Sequence, residues 1–392
     1  MIVPAVRIPS SVRSPSLIGT FFDLSVEADK IVGVEACPPG TSCQGTVVPA
    51  AVDLHLHLDK TYTVSETGPT YGDLFQAIEK MAQHQVHWTA SDLKARMERA
   101  LGECWQAGTR ALRTHLDWNT PRPPAIDVFL ELQATWRDRI IMQWVALTAL
   151  ERFDNLGFAR NLCRQVREAG GILGCFVYRN ARLADRLEGI FDLAVEFDLD
   201  LDFHVDEGLD ADACGLEAIA RLTLERGWNG RVTCGHVCSL SAQPWDQALR
   251  TLGMAQRAGI RMVTLPTTNL FLQGSWTETP GLRGMTRVRE AREAGVSVSL
   301  ANDNVADPFF PYGTYDLLEA WSLGVQLAHL APAEAWLDLV TVEPARAMGL
   351  AWDGRLGPGS PADFIVLEAK DELALLSPGG RRRKVCRRGR WL

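Results

Sequence analysis

The sequence predicts an α/β fold, a closed (β/α)8 barrel of the TIM type, with a small β-sandwich domain formed from both chain ends. Three observations carry this prediction. Eight apolar, strand-like runs between residues 46 and 304 alternate with helical stretches. Several helical stretches stop at a glycine just before the next strand. Both ends of the chain are rich in short strand-like runs with Gly and Pro between them.

The alternation is regular enough to assign the barrel to residues 51–345. Its strand-like runs are TVVPAAVDLHLHL, TRALRTHLD, IIMQWVALTAL, GGILGCFVY, LDLDFHVDE, GRVTCGHV, GIRMVTLPTTN and GVSVSLANDN. The helical stretches between them, whose apolar residues recur every three or four positions, include SDLKARMERALGECWQAG, DVFLELQATWRDR, FARNLCRQVREAG and RLEGIFDLAVEFD. EAGG, RAGI and EAGV are the glycine stops.

The two chain ends, 1–50 and 346–392, are predicted to form the small β-sandwich together. LIGTFFDLSVEADKIVGVEACPPG near the start and GRLGPGSPADFIVLEAK near the end both look like short strands joined by turns. The basic stretch GGRRRKVCRRGRWL is interpreted as a final strand with exposed arginines rather than as a binding arm.

Composition excludes several classes of partner. The 392 residues are 46% hydrophobic and 22% charged, as in ordinary soluble proteins. The net charge of −8 argues against nucleic acid or an anionic membrane as the main partner. No apolar run is long enough for a membrane span or a signal peptide. Nine scattered cysteines without a CxxC pair predict reduced thiols and a cytoplasmic protein.

Histidines and an aspartate stand at the ends of the predicted strands. His55 and His57 end the first strand, and because residues i and i+2 of a strand share a face, both imidazoles point to one place. His204 ends the fifth strand, His236 the sixth and Asp303 the eighth. In a parallel barrel these ends meet at one mouth, where a divalent cation would compensate for the desolvation of the cluster.

A set of three of these imidazoles with the carboxylate suits one Zn²⁺ or Fe²⁺ ion. A two-metal site in such barrels often uses a modified lysine on the fourth strand, and GGILGCFVYRN contains none, so we expect a single metal. Lys60, which follows the histidine pair, is predicted to form a salt bridge or loop contact rather than a substrate contact.

Two further residues and one ligand are predicted to be catalytic. Glu207, in HVDEG, would protonate a ring nitrogen or carry a proton from water to the leaving group. His236 would hold or polarise the attacking water, and Asp303 would both touch the metal and accept the water's proton. The metal-bound hydroxide would then attack an sp² carbon that bears a nitrogen leaving group.

At these residues the chain resembles the amidohydrolase superfamily, and within it the cytosine deaminase group. HLHLD, FHVDEG, GHV, NLFLQG followed by RGMTRV, and NDNVADPFFPYGT match that group's motifs in order, over about residues 50–350. The resemblance implies a mononuclear Zn²⁺ or Fe²⁺ site, a β-sandwich from both chain ends, and conserved roles at matching positions. Its implied ligands and catalytic residues are His55, His57, His204, Asp303, Glu207 and His236.

Two departures from the group's pattern concern the substrate. Cytosine deaminases carry a glutamine after the third strand that reads the amide edge of the pyrimidine, whereas VALTALE places Ala149 there. A second Asp normally follows the metal-binding Asp, and here it is Asn304. A site without the polar reader loses its strong discrimination for that edge. The motifs therefore favour the reaction class over cytosine itself.

Further residues are predicted to contact the substrate. Gln273, in TLPTTNLFLQG, is the preferred polar contact, ahead of Thr267, Thr268 and Asn269 of the same stretch, with stabilisation of its loop as the alternative role. Phe310, with its neighbours Phe309 and Tyr312, would wall the pocket, and Trp118 would sit at its mouth. His115 and Asp117 are expected to hydrogen-bond to the metal ligands rather than to coordinate the metal themselves.

The predicted function is the hydrolytic deamination of an amino-substituted heterocycle, such as a pyrimidine, triazine or pterin. The alternative within the same fold is hydrolysis of an N-substituted amine or a cyclic amide. A remote alternative is an inactive barrel used as a binding module, although every ligand is retained. Barrels of this family often associate, so a homo-oligomer is compatible with the sequence.

Overall fold

The computed structural model describes all 392 residues. The strands are β1 (Ile2–Arg7), β2 (Phe22–Glu27), β3 (Lys30–Ala36), β4 (Gly45–Pro49), β5 (Ala51–Leu56), β6 (Thr109–Asp117), β7 (Ile141–Ala149), β8 (Ile172–Val177), β9 (Leu201–Val205), β10 (Val232–His236), β11 (Arg261–Thr264), β12 (Ser297–Leu300), β13 (Phe364–Leu367), β14 (Arg383–Arg387) and β15 (Arg390–Trp391). The α-helices are α1 (Val64–Thr67), α2 (Leu74–Gln85), α3 (Ala90–Ala107), α4 (Pro124–Trp136), α5 (Leu156–Glu168), α6 (Leu183–Phe197), α7 (Gly215–Glu225), α8 (Trp245–Arg257), α9 (Pro266–Leu272), α10 (Val288–Glu293), α11 (Leu317–Leu327) and α12 (Val342–Ala347).

Strands β5 to β12 form a parallel eight-stranded sheet in chain order, which confirms the predicted barrel. The sheet closes through one bridge between Leu56 and Asp303, where the Asp303 amide donates to the His55 carbonyl at 2.9 Å. The first and last strands therefore meet at two of the predicted metal ligands.

The helix boundaries follow local chemistry. Helix α3 begins after Thr89, whose hydroxyl accepts from the Asp92 amide at 3.1 Å, and ends at Gly108, where φ is +98°. The three predicted glycine stops also hold: Gly170, Gly259 and Gly295 follow α5, α8 and α10 with positive φ. None of the helices is both long and apolar enough to cross a membrane.

The two chain ends form one mixed seven-stranded sheet in the order β15-β14-β13-β4-β1-β2-β3. Strand β4 pairs in parallel with β1 and in antiparallel with β13, so it joins the two ends. The chain changes sheets over one peptide unit. The Ala50 amide donates a hydrogen bond to the Asp363 carbonyl next to β13 of the small sheet. The Ala51 amide donates to the Gly108 carbonyl just before β6 of the barrel.

The basic C-terminal stretch, predicted as one final strand with exposed arginines, forms two antiparallel strands, β14 and β15, and not all of its arginines are exposed. Arg387 is buried: its guanidinium donates to the Asp363 carboxylate at 2.9 Å and to the backbone carbonyls of Trp105, Thr109 and Arg139. These carbonyls lie at the end of α3, the start of β6 and the turn before β7. Arg387 therefore attaches the small sheet to the barrel.

Candidate active site

Four predicted ligands converge at the carboxyl end of the barrel strands. His57 Nε2 lies 3.2 Å from Asp303 Oδ1, and His55 Nε2 lies 3.5 Å from the same oxygen. His204 Nε2 is 3.3 Å from His57 Nε2. All four side chains are buried. His55 lies in β5 and His57 directly follows its last residue, so the strand's period of two continues to His57 and aims both imidazoles into the barrel mouth.

The cluster fits a divalent metal ion. His55 Nε2 and both carboxylate oxygens of Asp303 are buried without a hydrogen-bond partner. Ligands placed tetrahedrally about 2.0–2.1 Å from a zinc ion lie roughly 3.3–3.4 Å apart, which matches the spacing of these donor atoms. Burial, reinforced by neighbouring positive groups, lowers the pKa of His55, His57 and His204 well below its usual value. The three rings are therefore neutral, which is the form that binds metals.

His236 and Glu207 form a second pair beside the cluster. His236 Nδ1 lies 3.3 Å from Glu207 Oε1 and 3.1 Å from the Asn269 amide nitrogen, while its Nε2 has no partner. Burial lowers the pKa of His236 to about 4, although Asp303 opposes this shift, so the ring is neutral. Burial, together with the charge of Asp303, raises the pKa of Glu207 well above its usual value. The pair thus consists of a neutral imidazole and a carboxyl group whose burial favours its protonated form.

The loop that carries Glu207 is fixed from both sides. The carboxylate of Asp206 accepts from the amides of Gly215 and Leu216 at the start of α7, at 3.1 and 3.0 Å. Gln273 Nε2 donates to the Glu207 carbonyl at 3.1 Å. These bonds turn the Glu207 side chain toward the histidines.

Above the cluster lies a cavity of about 150 Å³. His57, His204, Glu207, His236 and Asp303 form its floor, and Ala149 and Asn304 also line it. Its apolar residues include Leu147, Phe176 and Phe309, together with Leu74, Ile78 and Met81 of α2. The site therefore combines a polar floor with apolar walls, the usual design of a small-molecule site.

Several residues predicted to contact the substrate or to wall the pocket do not line this cavity: Trp118, Phe310 and Gln273, and also Thr267, Thr268, Asn269 and Tyr312. Trp118 follows Asp117 at the end of β6, so strand alternation turns it to the opposite side, where its ring stacks on Trp144 with centroids 5.8 Å apart. Phe310 packs against Phe271 with centroids 5.8 Å apart, and its neighbour Phe309 faces the cavity instead. Gln273 uses its amide to hold the Glu207 loop.

Lys60 forms the expected salt bridge and also lines the cavity. Its Nζ lies 2.8 Å from Asp117 Oδ1 and 3.4 Å from His57 Nδ1. Burial would lower the pKa of Lys60, but Asp117 and Asp59 more than offset this effect and raise it. Lys60 is therefore a charged group held beside His57, one of the predicted ligands.

The barrel interior beneath the cluster is polar. His115 Nε2 lies 3.2 Å from Asp202 Oδ1, and its ring centroid lies 4.0 Å from that of His55. Arg113 donates to Asp202 Oδ2 at 2.8 Å and to Gln143 Oε1 at 2.9 Å. Sequence reasoning placed His115 near the ligands but passed over Arg113. The alternation of Arg113, His115 and Asp117 along β6 was the available signal.

A nearly closed (β/α)8 barrel with three imidazoles and a carboxylate at its strand ends, next to a buried Glu–His pair, defines the class of metal-dependent hydrolases. A family model described as "Amidohydrolase family" matches residues 72–389. The chain therefore belongs to the amidohydrolase family, whose members are hydrolases, and it is an enzyme that acts on C–N bonds other than peptide bonds.

Known proteins similar to this chain act on nitrogen heterocycles. It is 36% identical to the pterin deaminase of Rhizobium rhizogenes (strain K84) over 88% of this chain and 80% of that protein. It is 25% identical to the N-isopropylammelide isopropyl amidohydrolase of Pseudomonas sp. (strain ADP) over 89% of this chain and 87% of that protein. The crystal structure of 5-methylcytosine deaminase from Klebsiella pneumoniae liganded with phosphonocytosine superposes with a TM-score of 0.86 at 26% identity, covering 100% of this chain and 98% of that one.

Proposed function

We propose that this enzyme is a metal-dependent deaminase of an amino-substituted heterocycle, with a 2-amino-4-oxopteridine (pterin) as the substrate class. The observation that carries the proposal is the buried Glu207–His236 pair facing the three-histidine and aspartate cluster across one small cavity. The 36% identity to a pterin deaminase supports the bicyclic ring, and so does the small Ala149 where cytosine deaminases carry a glutamine.

His55, His57, His204 and Asp303 would hold one divalent ion, Zn²⁺ or Fe²⁺, since imidazole and carboxylate donors suit either. When bound there, the ion would activate a water molecule for attack on the ring carbon that carries the amino group.

The residues of the chain divide the proton transfers. Glu207, which keeps its proton in the buried site, would donate it to the ring nitrogen next to the attacked carbon. His236 would use its unpartnered Nε2 to orient the attacking water. Asp303 would accept the water's proton and pass it to the amino group, which then leaves as ammonia. The remaining hydroxyl proton would return to the Glu207 carboxylate as the C–N bond breaks and the C=O bond forms, so the sum is one water consumed, one ammonia released and an oxo group in place of the amino group.

A second candidate is the hydrolysis of an N-alkyl substituent. The similarity to an N-isopropylammelide isopropyl amidohydrolase favours it, and the apolar side chains of Leu74, Ile78 and Met81 would accommodate an alkyl group. The leaving group would then be an alkylamine. For either reaction we propose a cytoplasmic location, which is supported by nine cysteines that are all free thiols.

The test is the release of ammonia or alkylamine by enzyme loaded separately with Zn²⁺ and Fe²⁺. The substrates are pterin, cytosine, 5-methylcytosine, isoguanine, ammelide and N-isopropylammelide. We expect ammonia from pterin at the highest kcat/KM. Isopropylamine from N-isopropylammelide, without ammonia from any ring, would establish the second candidate instead. A metal-loaded enzyme that released neither amine would contradict both.

A further inference from the structure

A pair of amide side chains lines the cavity away from the metal cluster. Gln85 is the last residue of α2, and Asn119 follows β6. Asn119 Nδ2 donates to Gln85 Oε1 at 3.1 Å, and Gln85 Nε2 donates to the carboxylate of Asp117. Neither residue belongs to the motifs that carry the resemblance to deaminases.

The pair lies beside the position at which cytosine deaminases carry their glutamine. Strands β6 and β7 are parallel and in register at Asp117 and Leu147, and the Trp118 amide donates to the Leu147 carbonyl at 2.7 Å. Two residues further along each chain, Asn119 and Ala149 both line the cavity. The space beside Ala149 is thus faced by an amide from the neighbouring strand end.

The pair has hydrogen-bonding capacity to spare. Gln85 uses one N–H and one acceptor position, and Asn119 uses one N–H. This leaves the side-chain oxygen Oδ1 of Asn119 as an acceptor and one N–H on each side-chain amide as a donor. An acceptor next to donors is the complement of a lactam edge, in which a ring N–H adjoins a C=O.

The surrounding contacts hold the pair in place. Asp117 is fixed by Lys60 at 2.8 Å and by its own amide, which donates to Asp59 Oδ2 at 2.8 Å. The backbone carbonyl of Asn119 accepts from Arg152 at 2.8 Å. Asn119 is exposed and Gln85 half-buried, so the pair lies on the solvent side of the cavity, and these contacts reduce the reordering that ligand binding requires.

We propose that Gln85 and Asn119 determine specificity by hydrogen-bonding the N3–H and C4=O edge of a 2-amino-4-oxo heterocycle. They would replace the reader that is absent at Ala149. The inference rests on the proposed function, because it assumes that the amino-bearing carbon faces the metal cluster. Asn119 would accept from the ring N–H, and the free amide N–H groups would donate to the ring oxygen.

The test measures ligand binding in a Glu207→Gln background, in which turnover is expected to be about 10²- to 10⁴-fold slower. The probes are pterin and 2-aminopteridine, which lacks the C4 oxygen and the N3 hydrogen, with dissociation constants measured by fluorescence on metal-loaded protein. Losing one neutral hydrogen bond changes affinity by about tenfold at most. We expect Asn119→Ala to raise the dissociation constant of pterin by about that factor and that of 2-aminopteridine by less than about twofold. Gln85→Ala should act in the same direction.

Two controls share the residue type but not the location. Gln83 lies on the exposed side of α2, where its amide donates to Glu79, and Asn161 lies on α5 outside the cavity. Gln83→Ala and Asn161→Ala should leave both affinities unchanged. Asn119→Ala is the sharper of the two test variants, because it leaves the bond between Gln85 and Asp117 intact.

Each outcome decides the question. If Asn119→Ala and Gln85→Ala lowered the affinity for both probes equally, or lowered neither, the pair would not hydrogen-bond the lactam edge and the inference would be wrong. If the unmodified enzyme deaminated pterin while the variants kept pterin affinity, only this inference would fail. If the unmodified enzyme neither bound nor deaminated pterin, the proposed substrate class would fail, and this inference with it.

Discussion

The replacement Glu207→Gln separates the proton-transfer role of this residue from any structural role. The two side chains have nearly the same shape, and the amide keeps a contact with His236 Nδ1, which lies 3.3 Å from Glu207 Oε1. Glutamine cannot donate a proton to the ring. General acid–base catalysis contributes about 10²- to 10⁴-fold, so we expect kcat to fall by that factor, or about 3–5 kcal/mol in the barrier.

Although Glu207→Gln should lower kcat, it should not lower the stability of the folded, metal-free protein. The pKa of Glu207 is raised in the folded state, so folded protein binds more protons than unfolded protein above the usual pKa of a glutamate. The residue therefore makes the folded state less stable as the pH rises from about 4.5 toward neutrality. A neutral glutamine removes this effect. Without metal at pH 7, the variant should unfold at the same or a higher temperature than the unmodified protein.

The assays are single-turnover ammonia release, metal content and thermal unfolding. Glu293→Gln is the matched control, since Glu293 is exposed at the end of α10 and precedes β12, whereas Asp303 follows the opposite end of that strand. Metal content should be equal in all three proteins. A Glu207→Gln enzyme with a near-normal kcat would refute the proton-transfer role. A large loss of metal or of thermal stability would mean that Glu207 acts structurally.

Three other changes probe the ligands, the barrel interior and the cavity wall. His57→Ala should lower the bound metal per chain, measured by elemental analysis after dialysis, whereas the exposed His87→Ala should not. Arg113→Leu removes the partner of a buried carboxylate and should cost about 3–5 kcal/mol in urea unfolding, against less than about 1 kcal/mol for the exposed ion pair lost in Arg122→Leu. Ala149→Gln extends an amide into the cavity and should lower kcat/KM for pterin by about tenfold or more while raising it for cytosine; an unchanged ratio of the two substrates would contradict this reading of the wall.

The sequence was sufficient to predict the barrel and the cluster because both follow from short-range periodicity. Alternation along β5 brings His55 and His57 to one side, and parallel strands bring their carboxyl ends to one mouth, so His204 and Asp303 join them. The same rule, applied at Trp118, would have placed that side chain outside the mouth, because it follows the inward-facing Asp117.

The remainder of the cavity depends on contacts between distant segments, which periodicity does not contain. No motif in the sequence marks helix α2 or Gln85 as part of the site. The pairing of Gln85 with Asn119 depends on how that helix packs over the barrel. Gln273 was predicted to contact the substrate, with stabilisation of its loop as the alternative. Its amide is used by the Glu207 carbonyl, a choice between protein and ligand partners that only the folded loops determine.

The position of β4 has a consequence for the order in which this chain can fold during synthesis. One edge of β4 pairs with β1, made earlier, but the other pairs with β13, and Phe364 aligns with Pro49 only after the whole barrel has left the ribosome. Until then β4 presents an open strand edge, the kind that recruits other chains. The last strands also bring Arg387, which satisfies carbonyls around the start of β6. Protection of the nascent N-terminal sheet therefore depends on residues translated last.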